Sequence, residues 1–252
     1  MSNDKEHITL DPHVHTDRSL DSFGSPNTMA KWAKNFGLDA IAFSDHNVNP
    51  LRRDLLNGLE KKFDITIFSS YEQGQVLPND PTPNIKKHCI GLGSESILFD
   101  HDIAKVLEHI RRQGGISIAA HPFCRDGFPD YAKLGFDAVE ALNGTTKPHK
   151  LDINNIPKVG GSDAHRYQDL GYTYTRVYNC GNNRDEILES IRRGDCAPGG
   201  ITIPPMHLVS RFLELVKKYA TNPLELLEEA RSMASSMNSR VPKMLTPAQA
   251  QR

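Results

Sequence analysis

Short β-branched or apolar runs alternate with amphipathic helical stretches from the start of the chain to about residue 195, and this alternation restricts the fold more than any other feature. The candidate strands are residues 7–13, 39–44, 65–70, 88–92, 116–120, 138–142 and 158–161. Helical periodicity is clearest over residues 25–36, 103–113 and 184–193. Ser25-Pro26 ahead of MAKWAKNF reads as an N-cap followed by proline at the first helical position, and Gly37 stands where that helix should end. Strand, helix, strand succession predicts an α/β fold with parallel pairing. Seven strands could close into a barrel; an open doubly wound sheet is the alternative, because a sequence does not count barrel closure.

The polar residues that interrupt this pattern sit at strand ends. His13, Asp45, Glu72, His121 and Asp163 each come at or just after the C-terminal end of a candidate strand, where barrels and open α/β sheets place their active sites. Six of the eleven histidines fall in these motifs: His13-Val14-His15, Asp45-His46, His88, His121-Pro122 and Asp163-Ala164-His165. In an extended chain residues two apart face the same way, so His13 and His15 can direct both imidazoles at one ion, and Asp163 and His165 share that spacing. One such pair is weak, since a surface or hydrogen-bonded core pair is the ordinary case; two pairs are much harder to assign to chance. Asp45 also suits a helix N-cap, and His121 a core hydrogen bond. Glu72 follows ITIFSSY, where a carboxylate is costly to bury unless it pairs or coordinates, and its two oxygens suit a bridge between ions.

Composition narrows the function. A formal charge of -1 on 252 residues gives no global basic field for nucleic acid or an anionic membrane, so an anionic substrate must be attracted locally. MSNDKEHITLD lacks an apolar signal core and no apolar run approaches the roughly 20 residues of a membrane span, which predicts a soluble, cytoplasmic protein with no membrane partner. Cys89, Cys124, Cys180 and Cys196 are widely spaced, as expected of reduced thiols; Cys124 has no base-and-orienter pattern that would make it a nucleophile. Residues 74–87, rich in proline and asparagine, are expected to form a surface loop beside Glu72. The composition changes after Pro205, where MHLVSRFLELVKKYA and PLELLEEARSMASSM read as two amphipathic helices before a polar tail. Residues 1–204 are therefore expected to form the main domain and residues 205–252 a C-terminal helical extension.

The motifs DPHVHTDRSLDSFGSP, GLDAIAFSDHNV, KHCIGLG, GGISIAAHPF and GGSDAHRYQDLG, in this order, resemble those of the PHP family, named for polymerase and histidinol phosphatase. The resemblance implies a distorted (β/α)7 barrel carrying two or three divalent metal ions: zinc, manganese or iron, which a mixed imidazole and carboxylate set does not distinguish. It implies that His13, His15 and Asp163 hold one ion and that Glu72 bridges it to a second at His88 and His121. A third would lie at Asp21, His46 and His165, with Asp17 a nearby competitor for Asp21. Asp11 and Asp45 are expected to orient imidazoles. The implied activity is a metal-dependent phosphoesterase acting on a small phosphorylated metabolite or nucleotide through a metal-activated hydroxide, with no protein nucleophile. Arg125 and Arg166 are candidates for binding the phosphate, against ordinary structural ion pairs. A nuclease trimming short oligonucleotides is the alternative, and a barrel that has become non-enzymatic is disfavoured by the complete ligand set. Neither the ester nor the oligomeric state is encoded legibly.

Overall fold

The alternating runs build two five-stranded sheets. The computed structural model describes residues 6–75, 87–146 and 155–218. In the first sheet β1 (Ile8–Val14), β2 (Ala40–Phe43) and β3 (Thr66–Ser69) run parallel, and β9 (Thr173–Val177) and β10 (Cys196–Gly200) extend the β1 edge antiparallel. In the second, β4 (Glu72–Gln75) and β5 (Lys87–Leu92) form an antiparallel pair, β5 is antiparallel to β6 (Ile116–Ala119), and β7 (Ala138–Asn143) and β8 (Lys158–Gly161) run parallel to β6. The sheets meet through single parallel bridges, Val14 with Ala164 and His46 with Glu72, instead of a continuous ladder.

All seven expected strands are present, but one runs the wrong way for uniform parallel pairing. β4 continues the direction of the chain beyond β3, as the parallel His46–Glu72 bridge shows, so its antiparallel partner β5 must return. That reversal has a consequence for the site: His88, at the start of β5, reaches the same end of the fold as residues at the ends of β1, β2, β6 and β8. β4 itself takes in Gly74 and Gln75 from the expected loop, Lys87 opens β5, and residues 76–86 lie outside the described residues.

The apolar face of each sheet closes on a shared interior of Ile8, Leu10, Ala42, Phe68, Ile90, Leu92, Ile116, Ile118, Val159 and Val177. Helix α5 (Arg184–Arg193) adds Ile187, Leu188 and Ile191, with Leu188 against Gly93 beyond the end of β5, so it plugs the end opposite the histidines. Outside, α1 (Pro26–Asn35) and α2 (Arg53–Phe63) cover β2 and β3 through Met29, Ala33, Ile41, Leu56 and Ile67. Helix α3 (Ile103–Arg112) covers the second sheet through Val106, Leu107 and Ile110, beside the short α4 (Tyr131–Leu134). Ser25 caps α1 as expected, its Oγ accepting from Thr28 N at 3.2 Å, and Gly37 leaves the helix in the left-handed region at φ 84°. Helix α2 escapes a periodicity reading because Gly58 interrupts it and Leu56 is its only fully buried side chain. Of the C-terminal extension, α6 (Pro205–Lys218) is described; the second expected helix and the polar tail lie outside the described residues.

Candidate metal centre

Backbone irregularities aim the site residues. Ile8 and Leu10 point into the interior, which would turn His13 and His15 outward on an unbroken strand, but the β1–β2 register shifts between Asp11 and Val14. This irregularity inverts the alternation, so His13 and His15 face inward while Val14 packs among the outer helices. His121, just past β6, has φ 28° and Asp163, just past β8, has φ 54°. A left-handed backbone at a residue other than glycine costs on the order of 1 kcal/mol, a strain that folds retain mostly where a side chain must be aimed. Gly161 completes the approach: a Cβ there would collide with Glu140 Oε1 and come within 2.7 Å of His13 Cβ.

All nine expected ligands converge, with Glu72 at the hub. Its carboxylate lies 3.5 Å from His13 Nε2, 3.6 Å from His15 Nε2, 2.8 Å from His46 Nδ1, 3.0 Å from His88 Nδ1 and 3.2 Å from His121 Nε2. Asp163 Oδ1 is 3.6 Å from His13 Nε2 and 3.3 Å from His15 Nε2, and Asp21 Oδ2 is 2.6 Å from His165 Nε2. Four trios bring ligand atoms within 4.8 Å of one another: His13, His15 and Asp163; His46, Glu72 and His88; His88, His121 and Asp126; and His15, His46 and His165. Asp126 was not anticipated; it follows the candidate Arg125 on the loop after His121, and its Oδ1 lies 3.3 Å from His121 Nδ1.

Groups that touch the far sides of the imidazoles decide where their lone pairs point. His13 Nδ1 donates to Glu140 Oε1 at 3.0 Å, because an ionised carboxylate only accepts. Ser19 Oγ donates to Asp45 Oδ1 at 3.1 Å and accepts from His46 N at 3.0 Å, so His15 Nδ1, 3.2 Å away, must be a donor to it. The two remaining Nε2 atoms face one another at 3.1 Å. A proton on His13 Nε2 donated to the His15 lone pair satisfies that approach, and so would a cation held by both nitrogens. Ligand nitrogens about 2.0–2.1 Å from a tetrahedral ion would stand roughly 3.3 Å apart, close to what is seen. The expectation for Asp11 and Asp45 is corrected in one respect: neither touches an imidazole. Asp11 Oδ1 accepts from the backbone N–H of His13 and of Ser162, and Asp45 accepts from Thr16 and Ser19, because both acids lie alongside the strand ends rather than beyond them.

Glu140, on β7, orients the site from the side. Besides His13 it accepts from His121 N at 2.8 Å and Asn143 Nδ2 at 2.9 Å, so it sets two ligands at once. Glu140→Gln keeps the shape but makes one of these three donors face an amide N–H. It is expected to lower kcat/KM about 10–100-fold, with a similar fall in metal affinity. Unchanged metal affinity, read by competition with a chromogenic chelator, would remove Glu140 from this role.

The field of the site favours cations. Burial opposes charge on His13, yet Glu140, Asp163 and Glu72 together hold it well above the usual imidazole range. Burial disfavours charge on His46, but Glu72, Asp21 and Asp163 together outweigh it and push it up to about 9. Burial raises Glu72, but His88, His13 and His46 bring it well below the usual carboxylate range. His15 goes the other way: burial and then His165 and His46 keep it neutral, with a lone pair to offer. Buried Asp21 Oδ1, Glu72 Oε2, His88 Nδ1, His121 Nδ1 and His165 Nε2 make no well-angled hydrogen bond, although each lies near an oppositely charged group. Atoms so arranged are aimed at shared points rather than at each other, which is the fit a multinuclear metal centre requires.

The two arginines are not drawn into this cluster. Arg166 is buried, and its guanidinium bonds Asp169, Ser210 Oγ at 2.9 Å and His207 O at 2.6 Å, anchoring α6. Arg125 is exposed on the loop that carries His121 and Asp126. Asp17 is exposed, so Asp21 alone occupies the third corner. Burial pushes the Cys124 thiol up to about 11 in spite of His121, so it offers no thiolate. His7 packs on Tyr178, His109 bonds Ser96, His207 pairs with Asp169 and His101 is exposed; His149 lies outside the described residues.

Fold and site together define a mixed α/β protein with a buried cluster of imidazoles and carboxylates, of the kind a multinuclear metal site uses, at one end of its sheets. The chain belongs to the PHP-domain family of metal-dependent phosphoesterases, whose domain model matches residues 11–118 and whose PHP-associated model matches residues 151–196. An uncharacterized protein of Methanocaldococcus jannaschii is 28% identical, over 54% of this chain and 82% of its own length. A two-domain protein of Bacteroides vulgatus, described as containing a predicted PHP-like metal-dependent phosphoesterase, shares the fold with a TM-score of 0.61 at 20% identity, over 77% of this chain; the match spans only 65% of that protein. PsfC from Pseudomonas syringae shares it with a TM-score of 0.55 at 16% identity, over 84% of this chain and 99% of PsfC.

Proposed function

We propose that this protein is a metal-dependent phosphoric ester hydrolase that releases phosphate from a small phosphorylated metabolite or nucleotide. The observation that carries the reading is the convergence of four trios of imidazole and carboxylate ligand atoms, each within 4.8 Å, around the buried Glu72. His13, His15 and Asp163 would hold one ion, and Glu72 would bridge it to a second held by His88 and His121, with Asp126 beside them. Zinc, manganese and iron all suit this set. The two sheets are read as halves of a distorted (β/α)7 barrel, pinned at the His46–Glu72 and Val14–Ala164 seams, with α6 as the start of a helical extension. Bound divalent ions supply a water nucleophile at neutral pH and neutralise the phosphate.

The chain's own residues do the positioning. Glu140, Ser19 and Thr145 fix His13, His15 and Asp163 so that no ligand must reorganise during turnover. Arg125, on the loop with two of the acidic and imidazole groups, is the candidate to meet the substrate's phosphate. Of the cluster His46, His88, Asp126 and Asp163 are partly exposed, an opening that suits a terminal phosphoryl group better than the interior of a strand. No helix among the described residues is long and apolar enough to cross a membrane.

The test is metal analysis of the purified protein, then a panel of small phosphomonoesters and short oligonucleotides with and without chelator. Phosphate release from monoesters, abolished by chelation and restored by one of the three metals, is the expected result. Shortening of oligonucleotides without monoester turnover would move the substrate to nucleic acid, and a protein that takes up no metal would end the reading.

A further inference from the structure

The third corner of the site is already occupied by a cation from the protein. Arg211, on α6 and buried to 7% exposure, donates to Asp21 Oδ2, the same oxygen that lies 2.6 Å from His165 Nε2. Asp21 belongs to none of the four trios whose ligand atoms lie close enough to hold an ion. The guanidinium Nε of Arg211 is buried without a hydrogen-bond partner, an arrangement that packing alone does not require. Arg211 is also held in place. Arg166 ties His207 and Ser210 of the same helix to the loop after β8, and Lys218 Nζ donates to Leu20 O at 2.8 Å and Ser22 O at 3.1 Å, on either side of Asp21. Leu215 is buried beside Phe23 and Phe212. Helix α6 thus clamps the segment carrying Asp21 and brings one fixed positive charge to it.

Building on the metal centre proposed above, we infer that Arg211 stands in for the third metal ion, so that this chain's centre is binuclear and completed by a guanidinium. An arginine stays protonated at any working pH, and a divalent ion a few ångströms away would meet its full repulsion as well as a carboxylate already neutralised. His46 and His165 then serve the site as neighbours of the bridging Glu72 and of Asp21, and their close trio with His15, which lies without Asp21, holds no separate ion. The reading differs from the expectation that Asp21, His46 and His165 hold a metal, and it makes α6, which lies beyond both matched family segments, a part of the active site.

Equilibrium dialysis of the full chain against zinc or manganese, followed by elemental analysis, decides it. The unaltered protein should hold two equivalents, Arg211→Met three, and Arg211→Lys, which keeps the charge, two. Asp21→Asn in the Arg211→Met background should return the count to two, and circular dichroism checks that each variant is folded. Three equivalents in the unaltered protein, falling to two in Asp21→Asn, would overturn the inference and leave the metal centre standing. A folded Arg211→Met protein that stays at two would also overturn it. No bound metal in the unaltered protein would overturn the metal centre and this inference together.

Discussion

Glu72→Ala is expected to fold, to bind no metal tightly and to lose at least about 10³-fold in kcat/KM, the largest effect of any single substitution in this chain. The reason is geometric. Among the described residues Glu72 alone lies within 3.6 Å of five imidazoles, and it would be the shared member between the ions proposed at His13, His15 and Asp163 and at His88 and His121. On that proposal, removing another ligand would weaken one ion and removing this one would separate two. The readout need not be turnover. A ligand that binds only the folded state at 1,000 times its Kd stabilises by about 4 kcal/mol, which for a chain of this size is roughly 10 °C in melting temperature. Chelator should remove that increment from the unaltered protein and change nothing in Glu72→Ala. A variant that still melts higher with metal would show that Glu72 is not the bridge.

Asp163 allows chemistry and strain to be separated. Its Oδ1 faces His13 and His15, its Oδ2 accepts from Thr145 Oγ1 at 2.7 Å, and its backbone is left-handed at φ 54°. Asparagine tolerates that backbone and can keep the Thr145 bond, but carries no charge for an ion. Asp163→Asn should therefore fall about 10²- to 10³-fold in activity, with its chelated form melting close to the chelated parent. Asp163→Ala should lose comparable activity and a further 1–2 kcal/mol or so of stability, the cost of a left-handed alanine. Full activity in the asparagine variant would exclude Asp163 from the centre. Equal melting of the two chelated variants would mean that the bend is held without strain.

The elements with strong local signals were legible in advance. Apolar runs such as AIAF and ISIA, the Ser25-Pro26 start and Gly37 end of α1, and the alternation of α3 and α5 each express a preference of their own residues. Elements held by neighbours were not. Strand β10, Cys196–Gly200, contains Pro198 and two glycines and exists because β9 offers it an edge. β9, with its period-two burial, carried a usable signal in TYTRV. Helix α2 buries little, so its apolar stripe is thin.

The site divides along the same line. Its ligand types and their position at strand ends could be read from the chain, because imidazoles and carboxylates interrupting apolar runs have few other uses there. Three features depended on groups far apart in sequence. The irregularity of β1 reverses which way His13 and His15 face, and it is visible only against β2. Glu140 orients His13 across 127 positions. Arg211 reaches Asp21 across 190 positions from a helix that looked like an appendage. Hydrophobic periodicity and residue chemistry are local quantities, so they specify which elements form and which side chains seek a cation. The direction of a strand, the partner of a lone pair and the charge that fills a corner are set by what packs alongside, and only the folded arrangement supplies those neighbours.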